Sequence, residues 1–181
     1  MSIEVVDESS FAESRGVDTI EVHDLARYVL EEMRVHPLAE LSVLLIDSEA
    51  MARLHVQWMD EAGPTDVMSF PMDQLRPGRE GQTSEPGLLG DVVVCPEVAA
   101  AQAAASGHAT ADEVLLLVTH GILHLLGYDH VEPEEERDMF TLQRRLVLGF
   151  LARIGRPGDP TPTVGHRALP GSEHRTTGAQ D

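Results

Sequence analysis

The chain has 181 residues, of which 42% are apolar and 24% charged, the balance of one folded globular domain. It contains 13 basic and 31 acidic residues, a formal net charge of −18, and none of the basic residues is lysine. Schiff-base catalysis and a lysine-containing phosphate-binding loop are therefore excluded, and broad electrostatic binding of duplex DNA is disfavoured.

The cysteine content and the absence of long apolar runs bear on location. Cys95 is the single cysteine, so the chain cannot form an internal disulfide of the kind common in oxidising compartments. No apolar run is long enough to span a membrane, and the acidic beginning is unlike a signal peptide. These features predict a cytoplasmic protein that has no membrane partner.

Hydrophobic periodicity and turn signals predict four strands and five helices. Asp18 is a capping signal for the first helix, and Thr110 with Glu113 forms a capping box at the fourth. Strands and helices intermix without strict alternation, so we predict an α+β fold: a single domain with a small, mixed four-stranded sheet and about five helices. In chain order, the predicted elements are a strand at 3–6, a helix at 19–33, a strand at 41–46, a helix at 48–59, strands at 67–70 and 89–95, and helices at 96–106, 110–126 and 133–153.

Composition divides the chain into a domain at residues 1–154 and a tail at residues 155–181. The tail contains nine Gly or Pro residues and few apolar ones. It cannot bury enough surface to offset its ordering entropy, so we predict that it is disordered and dispensable for folding. Its three arginines balance three acidic residues, so the whole net charge of −18 falls on the domain. Within the domain, the polar loop at 73–88 is long enough to be functional or mobile.

The fourth predicted helix is apolar on nearly every side, which indicates a central, buried helix. It nevertheless contains His120 and His124, whose spacing places both imidazoles on one face. Gly127 ends the helix, and the turn after it can bring His130 back to that face. Three imidazoles with one open position are typical of catalytic zinc, so we predict one Zn²⁺ per chain at this helix end. The alternative is a pair of core histidines bonded to backbone.

The same histidine spacing occurs in the metzincin proteases. Those enzymes place a general-base glutamate directly after the first histidine ligand, where this chain has Gly121. A glycine cannot accept a proton from water, so a metzincin-like metallopeptidase is the less favoured interpretation.

Three segments together resemble one known family. The string His-Gly-Ile-Leu-His-Leu-Leu-Gly-Tyr-Asp-His at 120–130 resembles the signature of the YbeY family, bacterial metal-dependent endoribonucleases also described as rRNA maturation factors. The segments at 63–71 and 89–97 agree with the same family, in the same order, so that the resemblance covers about residues 1–153.

The resemblance carries expectations about fold, metal, activity and partners. It implies an α+β fold and a zinc ion held by His120, His124 and His130. It also implies cleavage of single-stranded RNA, with roles in 3′-end processing of small-subunit rRNA and in ribosome quality control. The expected partners are single-stranded rRNA, the ribosomal small subunit and assembly factors.

This chain departs from the family at one position. The family commonly carries an arginine just upstream of the Pro-Thr-Asp segment, and the aligned residue here is Met59. The catalytic site is therefore expected to be weakened or rewired, with Arg76 or Arg79 on the polar loop as candidates to supply the missing charge. The general base is not assigned, and a non-catalytic, zinc-stabilised ribosome-assembly factor stays an alternative.

Four other polar residues are candidates for supporting roles. Asp66 and Ser69 are candidates to orient a ligand or to contact RNA. Asp91 interrupts an apolar run, and Asp129 directly precedes His130. Either carboxylate is therefore a candidate partner of a ligand histidine.

Two aromatic residues and one further histidine complete the candidates. Trp58 and Phe70 have rings that can stack on bases, although packing in the core is the favoured interpretation. His108 is predicted to be a solvated surface side chain.

Overall fold

The computed structural model describes residues 1–59, 65–129 and 131–160. Within these ranges the four strands and five helices lie where the sequence predicts them, and a short 3-10 turn at Glu13–Arg15 is added. The elements are β1 (Ser2–Asp7), α1 (Thr19–Glu32), β2 (Glu40–Leu45), α2 (Ser48–Met59), β3 (Val67–Pro71), β4 (Leu88–Val94), α3 (Pro96–Ser106), α4 (Thr110–Leu125) and α5 (Pro133–Arg153). Among the described helices, none is both long and apolar enough to cross a membrane.

The strands form one mixed sheet in the order β1-β2-β4-β3. β1, β2 and β4 run parallel, and β3 is an edge strand antiparallel to β4. The prediction of a single-domain α+β fold with a small, mixed four-stranded sheet is confirmed.

The two faces of the sheet differ in how they are covered. α1 and α4 pack on one face, and α5 packs on these two helices, so α4 contacts helices as well as strands and is the predicted central helix. The other face carries a smaller cluster that includes Met51 of α2, Met68, Val93 and Cys95. Burial raises the pKa of the Cys95 thiol, which is consistent with a packing role.

The polar loop between β3 and β4 is tied to the molecule along its length. Leu75 is buried in the main core. The Gly78 amide donates to the Met33 carbonyl at 3.0 Å, and the Ser84 amide donates to the Arg34 carbonyl at 2.8 Å. A Cβ at residue 78 would overlap the Arg34 carbonyl oxygen, so only glycine allows this approach. The loop therefore has a defined position against the end of α1.

One of the two predicted helix caps forms and the other does not. The Asp18 side chain accepts a hydrogen bond from the Ile20 amide at 2.9 Å, as the sequence indicates. α4 begins at Thr110 without a side-chain cap. Glu113 lies instead 2.6 Å from Nε2 of His108, whose side chain is only 15% exposed. The prediction of a surface His108 is wrong, because the buried Glu113 carboxylate binds that imidazole.

The end of the packed chain extends beyond residue 154. The Arg156 guanidinium binds the carboxylates of Glu21 on α1 and Asp112 on α4. Partial burial lowers the pKa of Arg156, but the hydrogen bonds and charges of the two carboxylates outweigh this and raise it. The domain boundary predicted after residue 154 leaves Arg156, and with it these ion pairs, outside the domain. Residues 161–181 lie outside the described residues, and disorder there stays a prediction.

We expect Arg156→Met to reduce the free energy of unfolding by about 1–3 kcal/mol, because two carboxylates lose a charged hydrogen-bond donor. Arg144→Met is the matched control, since Arg144 pairs with Asp159 near the same chain end with both side chains more exposed. That change should cost less than about 1 kcal/mol. Urea unfolding followed by circular dichroism measures both, and equal effects would show that the Arg156 link contributes no more than a surface pair.

Candidate metal centre

α4 approaches the sheet closely at Gly121. A Cβ at this position would lie 2.6 Å from Cγ1 of Val92 and 3.2 Å from Oγ of Ser69. The Ser69 hydroxyl donates a hydrogen bond to the Gly121 carbonyl at 3.0 Å. Glycine is therefore needed for α4 to contact β3 and β4, and Ser69 fastens the contact.

The same geometry explains why position 121 does not hold a general base. A side chain there points at Val92 and has no space, whereas the two histidines project from another side of α4. A glutamate at this position would have to displace the sheet. The structure thus supports the expectation that the protease-type base is missing.

His120 and His124 bring two ring nitrogens to one point. Their Nε2 atoms lie 2.9 Å apart, and the rings meet edge to face with centroids 4.5 Å apart. Two nitrogens bound to a tetrahedral zinc ion lie about 3.3 Å apart, because each Zn–N bond is about 2.0–2.1 Å long. The pair therefore fits two adjacent ligand positions of such an ion.

Gln143 of α5 supports this pair. Its side-chain oxygen lies 2.8 Å from Nδ1 of His120, and the residue is 1% exposed. A carbonyl oxygen accepts a hydrogen bond from Nδ1–H, which leaves the lone pair of Nε2 available to a metal. Phe140 stacks on the same imidazole with centroids 6.3 Å apart. Both the tautomer and the ring orientation of His120 are therefore fixed.

Gln143 is not among the predicted site residues, although its place on α5 carries a signal. On α5 the residue lies one turn after Met139 and one turn before Leu146 and Val147, all of which are buried. A polar side chain on the apolar face of a helix needs a hydrogen-bond partner, and a buried histidine is a natural one.

The third predicted ligand, His130, lies outside the described residues. Within the described part of the chain, no group of three or more metal-binding side chains is found. The structure therefore brings His120 and His124 together, and the three-histidine zinc site stays a prediction.

Asp66 and Ser69 have structural partners. The buried Asp66 carboxylate accepts from the Val67 amide at 2.8 Å and from the Gln102 side-chain amide at 3.3 Å, which ties the start of β3 to α3. Ser69, as described above, binds the backbone of α4. These contacts position β3 beside α4.

The two candidate carboxylates lie in different places. In the β3–β4 register Ser69 pairs with Val92, which faces α4, and Phe70 pairs with Asp91. Because side chains alternate along a strand, Asp91 faces the side of the sheet opposite α4 and cannot contact His120 or His124. Asp129 is exposed in the turn that follows α4.

Trp58 and Phe70 form an edge-to-face pair with centroids 5.8 Å apart, on the side of the sheet that carries Asp91. Trp58 is 60% exposed, so the favoured interpretation of core packing is wrong for this residue. Phe70 is partly buried and packs on the smaller cluster, so the favoured interpretation of core packing holds for this residue.

The two loop arginines lie at different positions. Arg76 lies against Gly127, at the end of α4, and its guanidinium fills the space that a Cβ at residue 127 would need. Arg79 follows Gly78 in the part of the loop that packs on the end of α1. The side chain of Met59 lies outside the described residues.

The chain is an α+β domain whose central helix brings two imidazole nitrogens together, next to the buried side-chain amide of Gln143. This arrangement makes it a candidate metal-dependent enzyme. A family model described as "Endoribonuclease YbeY" matches residues 8–150. The chain belongs to the YbeY family.

Curated relatives agree over almost the whole chain. "Endoribonuclease YbeY" of Kineococcus radiotolerans is 88% identical over 173 residues, which are 96% of this chain and 100% of that protein. "Endoribonuclease YbeY" of Thermobifida fusca is 63% identical over 150 residues, which are 83% of this chain and 94% of that protein. The solution structure of TM1509 from Thermotoga maritima has the same fold, with a TM-score of 0.58 at 23% identity, covering 91% of this chain and 99% of that one.

We expect Gly121→Ala to destabilise the protein, because the added methyl group overlaps Val92 in a packed layer and such overpacking costs about 1–3 kcal/mol. The gain in helix propensity, about 1 kcal/mol, offsets only part of this cost. Gly149→Ala in α5 is the matched control, since its methyl group meets the hydroxyl end of Tyr28, which can move. Thermal unfolding that ranks Gly149→Ala as the more harmful change would contradict this account.

Proposed function

We propose that this chain is a zinc-dependent endoribonuclease that cleaves single-stranded rRNA. Membership of the YbeY family supports hydrolysis of RNA phosphodiester bonds and a role in rRNA processing. The observation that carries the zinc dependence is the convergence of the Nε2 atoms of His120 and His124, with Gln143 on the far nitrogen of the first ring.

The proposed zinc ligands are His120, His124 and His130, as the sequence spacing indicates. Imidazole nitrogens suit Zn²⁺, and three of them leave one position open in a tetrahedral site. Zinc bound there supplies a Lewis acid for hydrolysis of a phosphodiester. The protein's own contribution is to hold the rings: α4 fixes their spacing, and Gln143 fixes the tautomer of His120.

The proposed setting is the cytoplasmic ribosome. With a net charge of −18, the chain repels free RNA at long range. Delivery by the small ribosomal subunit and its assembly factors raises the local concentration of the strand and overcomes this repulsion. Within this setting we propose 3′-end processing of small-subunit rRNA and ribosome quality control as the roles.

The first test is cleavage by protein that was purified without a nickel column and loaded with zinc. We expect it to cut a labelled single-stranded RNA oligomer while sparing casein, and His124→Ala to lose at least about 100-fold in rate, as is typical when a group that organises the site is removed. His23→Ala is the matched control, because His23 lies on α1 beside Asp24. Cleavage of casein instead of RNA would support the peptidase interpretation. Equal RNA cleavage by His124→Ala would refute the proposed centre.

The second test concerns the support given by Gln143. Gln143→Leu removes the acceptor of the His120 Nδ1 proton, so we expect zinc affinity to fall by about 10- to 100-fold. Gln143→Glu keeps an acceptor oxygen and should retain more of the affinity. Competition with a chromogenic chelator measures both values, and wild-type affinity in a folded Gln143→Leu protein would show that His120 needs no such partner.

A further inference from the structure

The loop between β3 and β4 places one arginine against Gly127, in the turn that follows the two histidines of α4. Two hydrogen bonds between Asp73 and Leu88 close the base of the loop. The Asp73 amide donates to the Leu88 carbonyl, and the Leu88 amide donates to the Asp73 carboxylate at 2.7 Å. Leu75 anchors the next turn in the core. Arg76 follows this anchor directly, so its backbone is constrained although its side chain is exposed.

The guanidinium of Arg76 packs over Gly127. A Cβ at residue 127 would meet three atoms of that group: Nη1, Cζ and Nε. The Gly127 amide donates to the His124 carbonyl at 3.0 Å, so this glycine is joined directly to a residue of the histidine pair. In the sequence it stands midway between His124 and His130. The cation is thus held next to the turn that connects two of the proposed ligands.

Arg76 has no anionic partner among the described residues. Four of the described arginines pair with a carboxylate, namely Arg27, Arg53, Arg144 and Arg156, and Arg76 is among those that do not, in a chain with 31 acidic residues. An exposed guanidinium offers paired N–H donors that match the oxygens of a phosphate. Its position and its free donors suit an anion that approaches the centre from solvent.

We propose that Arg76 binds a phosphate of the RNA strand beside the proposed metal centre and thereby positions the strand for cleavage. This inference rests on the proposed function. The competing explanation is purely structural: a cation at the C-terminal end of α4 interacts favourably with the helix dipole and stabilises the fold. The two explanations differ in what they predict for RNA binding and its dependence on salt.

The test compares Arg76→Gln, Arg76→Lys and the control Arg53→Gln, which changes an exposed arginine that pairs with Glu49 on α2, on the other side of the sheet. For zinc-loaded protein and a single-stranded RNA oligomer, we expect Arg76→Gln to lower kcat/KM by about 10- to 100-fold, mainly through KM. Loss of one phosphate contact should also reduce the slope of log affinity against log salt by about 0.7. Arg76→Lys should restore the slope and part of the affinity, and Arg53→Gln should match the wild type.

Several outcomes separate the possibilities. If the wild type cleaves RNA and Arg76→Gln behaves like Arg53→Gln, the inference fails while the proposed function stands. If Arg76→Gln lowers the melting temperature and leaves the salt slope unchanged, Arg76 only stabilises the end of α4, and the inference is overturned. If the wild type does not cleave RNA, the proposed function fails, and fluorescence anisotropy with the same oligomer still decides whether Arg76 binds phosphate.

Discussion

The close contact between Gly121 and Val92 is the constraint on which the candidate site depends. Because residue 121 has no side chain, α4 lies directly on β3 and β4, and Ser69 fastens its backbone there. With that side of the helix fixed on the sheet, His120 and His124 project elsewhere, and their Nε2 atoms meet. Gly121 stands where the metzincin proteases have their general-base glutamate. The same glycine therefore accounts for the missing base and for the position of the histidine pair.

Placing two imidazoles in a mostly apolar helix has a cost, because polar groups lose water on burial. The structure offsets it with partners: Gln143 binds one nitrogen of His120, and the two Nε2 atoms lie within hydrogen-bond distance of each other. Among the described residues, no buried side-chain nitrogen or oxygen lacks a hydrogen-bond partner. The rings are held by a supporting shell, as an arrangement that serves binding requires.

Local patterns in the sequence predicted the helices and the strands, because these depend on neighbours a few residues apart. The order of those elements then predicted the mixed sheet. The features that were missed depend on contacts between distant segments. Gln143 reaches His120 across 23 positions, and Arg156 reaches Glu21 across 135. The face occupied by Asp91 depends on strand register, which a shift of one residue would reverse. Periodicity along one segment contains none of this information.

The most direct test of the central claim is a crystal structure of the zinc-loaded protein with anomalous diffraction at the zinc edge. We predict one zinc ion per chain, bound by the Nε2 atoms of His120 and His124 at about 2.0–2.1 Å, with Nδ1 of His120 still bonded to Gln143. Zinc bound through Nδ1 of His120, or held by residues away from α4, would contradict the account.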